Sequence, residues 1–224
     1  MLKSYLLPVV FIAVSLSTAL SEDDAARKEY LANRAAEKAA ADHAVKEISA
    51  RDYATVSADE FIRLAYAYNE LGDNPLALDA VCRVSDEVLA EKKQLDLKAI
   101  CFHNVSSGDD KTNRIRELAF IDRCLDRKYE NQGVWLWRKA KVICQSSVAH
   151  AIPTRGDQIG SEAHMIDREQ YEYSFELLKR AFEVEPKLYN LAGVGHEFMW
   201  AGDFPQLSGE PRFKELMQKH APKQ

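Results

Sequence analysis

The feature that most constrains this chain is a pattern of large and small side chains in residues 61–89, which has the spacing of two packed helices. The residues that share this pattern are Phe61, Leu64, Ala65, Tyr68, Gly72, Ala77 and Val81. Small residues let two helices approach closely, and the larger side chains fill the space around them. Gly72 lets the chain turn, and Asn74 followed by Pro75 is a helix-start signal. The pattern therefore predicts an antiparallel helical hairpin.

This spacing resembles the tetratricopeptide repeat (TPR), which has W-x2-L-G-x2-Y in its first helix and A-x3-F in its second. A single hairpin cannot bury its apolar face, so such repeats occur in stacks of about three or more. A second, degraded repeat covers residues 95–125, and a third begins near Trp135 and has its second helix at residues 168–185. The positions matched in these two repeats are Ile100, Cys101, Gly108, Ile115, Leu118, Ala119 and Leu125, then Trp137, Ala140, Ile143, Cys144, Tyr171, Ser174, Leu178, Ala181 and Pro186.

The chain ends in D-F-x-x-L followed by G-x-P-R-F-K-x-L, a segment that resembles the terminal cap of bacterial TPR proteins. Pro211 opens its last helix, along which Phe213, Leu216 and Met217 form an apolar stripe. The resemblance implies an all-α fold: an α-solenoid of about three to four TPR-like hairpins in residues 58–219, with an N-terminal Ala-rich helix, a C-terminal capping helix and a tail at residues 220–224.

Residues 1–21 have the organisation of a signal peptide. Lys3 is followed by an uncharged run, and Ala19-Leu20-Ser21 is a small-x-small cleavage site. Pro8 and the acidic, Ala-rich sequence after residue 21 favour cleavage over the alternative, a permanent anchor. No later stretch approaches the roughly 18 apolar residues of a membrane span. The sequence predicts export by a cleavable signal peptide to the periplasm or the secreted space, with no membrane span in the mature chain.

Residues 22–57 are rich in alanine and in charges of both signs, a composition with high helix propensity. Large apolar residues are few, mainly Leu31, Val45 and Ile48. The favoured interpretation is a solvated spacer helix. The alternative is a helix that pairs with a second chain in a homo-oligomer, although the sustained heptads of a coiled coil are absent.

The charge balance argues against one class of partner. The whole chain has a formal net charge of −5, and removal of residues 1–21 leaves 29 basic and 35 acidic residues, a net charge of −6. Nucleic-acid binding depends on a basic stripe that neutralises phosphates. The sequence therefore predicts no nucleic-acid partner.

Four cysteines, Cys82, Cys101, Cys124 and Cys144, lie in a chain predicted to enter an oxidising compartment. In a TPR stack the second helix packs against the first helix of the next repeat, so the resemblance implies the bridges Cys82–Cys101 and Cys124–Cys144. The alternative is a buried thiol that fills a small-residue position without a partner. The wide spacing of the four does not match a structural zinc site.

Residues 148–167 interrupt the third hairpin with a long irregular stretch, and such loops often carry function. Its candidate acid–base or metal-binding residues are His150, Arg155, Asp157, Glu162, His164 and Asp167. They match no catalytic, metal-binding or phosphate-binding motif. An ordinary surface insertion is favoured, with an enzyme or metal-dependent site as the alternative; no cofactor is predicted.

The resemblance implies ligand binding in a concave groove formed by the first helix of each repeat. The groove positions are Ile62, Tyr66 and Asn69, then Lys98 and Phe102, then Arg138, Lys141 and Gln145. Basic and aromatic side chains suit an extended peptide or a chain-terminal carboxylate. Ile62 and Tyr66 stand where the chaperone-binding members have Lys and Asn, so a chaperone co-factor role is not supported. The expected function is a non-catalytic scaffold for a protein or peptide.

Overall fold

The computed structural model describes residues 6–106, 111–146, 168–188, 204, 207 and 209–220. These residues form α-helices and one short 3-10 turn, with no strand among them, so the all-α prediction is confirmed. The chain divides into two compact units, Met1–Val84 and Ser85–Gln224, which we call the N-terminal and C-terminal units.

The N-terminal unit contains three α-helices: α1 at Leu6–Ser49, α2 at Ala58–Leu71 and α3 at Asn74–Cys82. Ser57 caps α2 by accepting from the Glu60 N–H, and the Glu60 side chain accepts from the Ser57 N–H. Gly72 ends α2 with φ of 82°, a left-handed conformation that glycine adopts without strain. The helix-start signal lies one residue earlier than predicted, because the Asp73 side chain accepts from the Leu76 N–H.

The predicted hairpin of α2 and α3 is confirmed, because the two helices pack against each other through the small and large residues that the spacing identifies. Ala65, Ala77 and Val81 are fully buried, and Leu64 is nearly so. The close approach allowed by the two alanines lets the larger side chains fill the interface.

The end of α1 packs against α2, which differs from the solvated spacer helix expected for residues 22–57. Ala41, Ala44 and Ile48 are buried in this contact, and the Ser49 and Tyr68 hydroxyls lie 3.0 Å apart. Leu31 is exposed, as a spacer would have it. The sparse apolar residues of the Ala-rich segment therefore suffice for one helical face, because alanine permits close helix packing. Pairing with a second chain stays a prediction.

The predicted hairpin ends earlier than residue 89. The short helix α4, at Asp86–Glu91, begins a separate element, because the Ser85 side chain accepts from the Val88 N–H and caps it. Leu89 lies on this short helix and is fully buried. The division between the two units falls at this break, between Val84 and Ser85.

The C-terminal unit continues with α5 at Leu95–Ser106, α6 at Lys111–Asp126, α7 at Gln132–Ser146, α8 at Arg168–Val184 and α9 at Pro211–His220. Each of α5 to α8 packs against the next in chain order. At Gly133 an added Cβ would lie 2.9 Å from the Ala181 carbonyl oxygen, so glycine is required where α7 meets α8. The matched positions of the third repeat, from Trp137 to Ala181, are buried as predicted.

The packing positions predicted for the second repeat are right only in part, because Cys101 is fully buried and Leu118 and Leu125 pack against the core. Ile100, Ile115 and Ala119 were assigned to its packing face, but all three are exposed. The inward face of α6 instead carries Glu117, Phe120, Ile121 and Cys124 at helical spacing. The apolar stripe predicted along α6 is therefore rotated relative to the face that is buried.

The predicted start of the last helix is confirmed in α9, which begins at Pro211 and buries Phe213 and Met217. Arg212 fastens it to α8 through two bonds to the Glu172 carboxylate, at 2.6 and 2.9 Å. The residues of α9 on the opposite face, including Lys214 and Glu215, are exposed to solvent. The role of α9 as a terminal cap stays a prediction.

Within the part of the chain that the structure covers, no helix is both long and apolar enough to cross a membrane. Residues 1–5 lie outside the described residues, as do the side chains of residues 1–25, so the signal-peptide prediction is untested there. The 148–167 insertion also lies outside the described residues, as do residues 221–224 of the predicted tail at 220–224, whose first residue, His220, ends α9.

Candidate functional site

A pocket of about 240 Å3 lies where α5, α6 and α7 meet in the C-terminal unit. Each helix supplies two of the side chains that line it. They are His103 and Ser106 from α5, Arg114 and Glu117 from α6, and Val142 and Gln145 from α7. Five of the six are polar, so the pocket is a site for polar groups and not a gap in the apolar core.

Glu117 is the most unusual of these side chains, because only 3% of it is exposed. The Ser106 hydroxyl donates to its Oε2 at 2.5 Å, and His103 Nδ1 lies 3.8 Å from its Oε1. Burial raises the pKa of Glu117, and the hydrogen bond from Ser106 and nearby basic residues offset this only in part. A carboxyl group with these properties exchanges a proton more readily near neutral pH than an exposed glutamate.

Arg114 on α6 lines the pocket and contacts the end of α5. Its Nε donates to the carbonyl oxygen of Ser106, the last residue of α5, at 3.3 Å. Carbonyl groups at a helix C-terminus have no partner within the helix and carry partial negative charge, which favours a basic side chain there. The same contact positions the guanidinium beside the pocket.

Two of the predicted groove residues in the C-terminal unit, Lys98 and Phe102, are buried and do not form an open surface. Lys98 Nζ donates to Asp86 Oδ1 at 2.7 Å and lies 5.5 Å from the centre of the Phe120 ring. Phe102 packs on the same ring, at a centroid distance of 5.6 Å. The structure thus brings these two groove residues together in the core instead of on a ligand-binding face.

The predicted groove residues on α7 lie closer to solvent. Arg138 bonds Asp96 at 3.1 Å, and Lys141 Nζ lies 5.5 Å from the centre of the Trp137 ring. Gln145 lines the pocket. Of the predicted set, Gln145 alone is among the lining residues.

Ile62, Tyr66 and Asn69 lie on α2 in the N-terminal unit. Ile62 is buried, Asn69 is half-buried, and Tyr66 is 50% exposed. Tyr66 therefore fits the predicted groove surface, whereas burial of Ile62 does not.

All four cysteines carry thiols in the structure, and the disulfide pairing stays a prediction. Cys82 is exposed at the end of α3, whereas Cys101, Cys124 and Cys144 are buried. Burial raises the pKa of Cys124 to about 12, so this group remains a thiol at neutral pH.

The residues of the alternative catalytic or metal site, from His150 to Asp167, lie outside the described residues. Among the residues that are described, no group of three or more His, Cys, Asp or Glu side chains is arranged to hold a metal ion.

Sequence reasoning missed four of the polar pocket residues, which are His103, Ser106, Arg114 and Glu117. A signal was present: His103 and Ser106 are three residues apart, and so are Arg114 and Glu117. Residues at this spacing share a face of a helix, and the two pairs lie on successive helices, α5 and α6. Two such pairs on packed helices line the same pocket.

Comparison of the chain with models of protein families, with curated proteins and with solved structures finds no match.

Proposed function

We infer that this protein is a non-catalytic scaffold that binds another protein or a peptide through an α-solenoid of TPR-like hairpins. The successive packing of α5, α6, α7 and α8 supports this, because stacked hairpins contact their neighbours along the chain. The signal-peptide pattern of residues 1–21 supports export, and the scaffold then acts in the periplasm or the secreted space.

The observation that carries the proposal is the polar pocket at the meeting of three consecutive helices. Binding sites in helical proteins form between helices, with a few convergent polar groups that orient the ligand. At about 240 Å3 the pocket is smaller than a site for a drug-sized molecule, which needs roughly 300 Å3 or more. It suits one side chain or one chain end of a larger partner.

A peptide selection tests the proposal. Random peptides displayed on phage are selected on the full 224-residue chain, and the enriched peptides are titrated against the wild type and Gln145→Ala by calorimetry. We expect saturable binding that weakens about tenfold in the variant, since truncation of a central polar contact removes about 1.4 kcal/mol.

The matched control is Lys179→Ala, because Lys179 lies on α8, donates to the Glu176 carboxylate and does not line the pocket. Its affinity for the selected peptides should stay within about twofold of the wild type. No enriched peptide, or equal affinity for the wild type and Gln145→Ala, contradicts the proposal.

A further inference from the structure

Helix α9 packs on α8 in the way that a helical peptide packs into a groove on another protein. Its inward-facing residues are spaced at offsets 0, 3, 4 and 7 along the chain: Phe213, Leu216, Met217 and His220. Phe213 and Met217 are buried, and Leu216 packs against the same hydrophobic cluster. The His220 ring stacks on the Phe182 ring at a centroid distance of 4.5 Å. Anchors at these offsets are typical of helix-in-groove recognition between proteins.

The two helices run side by side in the same direction. Arg212, at the start of α9, bonds Glu172, and its guanidinium carbon lies 4.4 Å from the centre of the Phe175 ring. His220, at the end of α9, stacks on Phe182, which lies further along α8. Helices of a hairpin with a short turn are antiparallel, so α9 is not the hairpin partner of α8. The α8 residues that α9 covers, which we call the α9 site, are Glu172, Phe175 and Phe182.

The ion pairs that join α9 to the α9 site are at its start and are open to solvent. Arg212 donates to the carboxylates of Glu172 and Glu210. The side chains of Arg212, Glu172 and Glu210 are 37%, 44% and 35% exposed. Solvent screens ion pairs that are this exposed, so they orient α9 and add little to the free energy that keeps it in place.

The connection between α9 and the core of the C-terminal unit is short. Leu207 is fully buried in the cluster that also contains Phe213, and α9 begins four residues later, at Pro211. Between them, a Cβ added at Gly209 would meet nothing within 4 Å. Glycine also has the widest choice of backbone conformations. Backbone rotation at Gly209 is therefore not blocked by neighbouring atoms, and it would carry α9 as a whole while Leu207 stays in the core.

We propose that α9 is exchanged between two copies of this chain, and that the α9 site is the interface of the resulting dimer. An α9 from a second copy carries the same anchors and the same Arg212, so it makes the contacts that the resident helix makes. Two closed copies open and form one dimer in which both α9 sites are filled. Because the contacts are the same, the equilibrium depends on the local concentration of the tethered α9, which is on the order of 1 mM for a short flexible linker.

Reversal of the charges on the two sides of the contact tests the inference. The full chain is prepared as two single variants, Arg212→Glu and Glu172→Arg, so that each closed copy holds two like charges at the start of α9. In an exchanged dimer of one copy of each variant, both α9 sites hold opposite charges. We expect the equal mixture to dimerise at a concentration at least about tenfold lower than either variant alone, because two like-charge pairs become two opposite-charge pairs. Sedimentation equilibrium measures the mass, and native mass spectrometry with one variant isotope-labelled identifies the mixed dimer.

Two controls separate the exchange from a loss of structure. The double variant with Arg212→Glu and Glu172→Arg in one chain restores opposite charges within a closed copy, so its helix content and its dimerisation should match those of the wild type. If the single variants unfold when they are alone, their mixture should recover the helical circular dichroism of the double variant. Lys214→Glu and Glu215→Lys reverse exposed side chains of α9, so mixing these two variants should not promote dimerisation.

Three results overturn the inference. The first is a wild type that stays monomeric well above about 1 mM, where exchange with identical contacts must produce dimers. The second is a mixture of Arg212→Glu and Glu172→Arg that keeps the masses of the separate variants. The third is equal dimerisation of this mixture and of the Lys214→Glu and Glu215→Lys mixture, which places the interface elsewhere. None of these results bears on peptide binding at the α5–α6–α7 pocket, so the proposed function stands or falls separately.

Discussion

Asp86 on α4 and Glu117 on α6 are both largely withdrawn from solvent in the C-terminal unit, yet their pKa values shift in opposite directions. Burial acts to raise the pKa of Asp86, but hydrogen bonds and charges from Lys98 and Arg123 outweigh it, so the pKa lies below its usual value. Burial raises the pKa of Glu117, and the hydrogen bond from Ser106 and the charges of Arg138, Lys141 and Arg114 offset it only in part.

The contrast lies in the bonding partners. Lys98 Nζ lies 2.7 Å from one oxygen of Asp86, and Arg123 Nε lies 3.0 Å from the other. Glu117 accepts a hydrogen bond from the neutral hydroxyl of Ser106, and its basic neighbours lower its pKa through their charges. A carboxylate bonded to two cations is a structural ion cluster that joins helices. A buried carboxylate with raised pKa at an open pocket is a candidate functional group.

The largest expected effect comes from breaking the compensated cluster. Lys98→Met removes the buried cation and leaves Asp86 with only half-exposed Arg123, so the free energy of unfolding should fall by about 3 kcal/mol. Urea denaturation followed by circular dichroism measures the loss. The double replacement Lys98→Met with Asp86→Leu should recover most of it, because no charge then remains buried.

The control for this measurement is Arg127→Ala, which removes an exposed ion pair between Glu87 on α4 and the first residue after α6. Its effect should stay below about 1 kcal/mol, since solvent screens surface pairs. If Lys98→Met and Arg127→Ala have the same effect, the Asp86 cluster is not a buried one.

A smaller effect is expected at the pocket. Ser106→Ala removes the hydroxyl donor to Glu117, and we expect the free energy of unfolding to fall by about 1 kcal/mol. NMR titration of the Glu117 carboxyl carbon should show its pKa rising further, because the hydrogen bond favours the charged form. Ser146→Ala, which removes a bond to the Val142 carbonyl within one helix, should leave the pKa of Glu117 unchanged. An unchanged pKa in Ser106→Ala would show that the hydroxyl does not set the charge state.

The two clusters also show how far the sequence predicts this molecule. Local spacing suffices for the α2–α3 hairpin and for the start of α9 at Pro211, since each depends on residues within about one turn or one hairpin. The break at Ser85 escapes prediction because buried Val81, Val84 and Leu89 keep the apolar pattern running across it.

Lys98 and Glu117 show why the site is harder to predict. Helical period puts Lys98 on the first helix of a repeat, and a lysine is usually exposed. Its burial depends on Asp86, twelve residues earlier on a separate short helix. Glu117 becomes a pocket residue only because three helices converge on it. Contacts between side chains of different helices depend on how the helices pack. An error of one residue in the repeat register is enough to assign such a side chain to the wrong face.

The smallest effect at neutral pH, and the sharpest test of the comparison, comes from Glu117→Gln. Because the folded-state pKa of Glu117 lies above its unfolded value of about 4.5, its contribution to stability is fully present below pH 4.5 and is lost as pH rises through the folded pKa. Glu117→Gln should therefore remove a decline in unfolding free energy above pH 4.5, whose slope cannot exceed about 1.4 kcal/mol per pH unit for one proton. Urea titrations of both proteins from pH 4 to pH 8 measure the difference. Asp86→Asn should act in the opposite sense, removing a stability loss as pH falls below the usual aspartate range, and parallel curves for Glu117→Gln and the wild type would show that the two carboxylates do not differ.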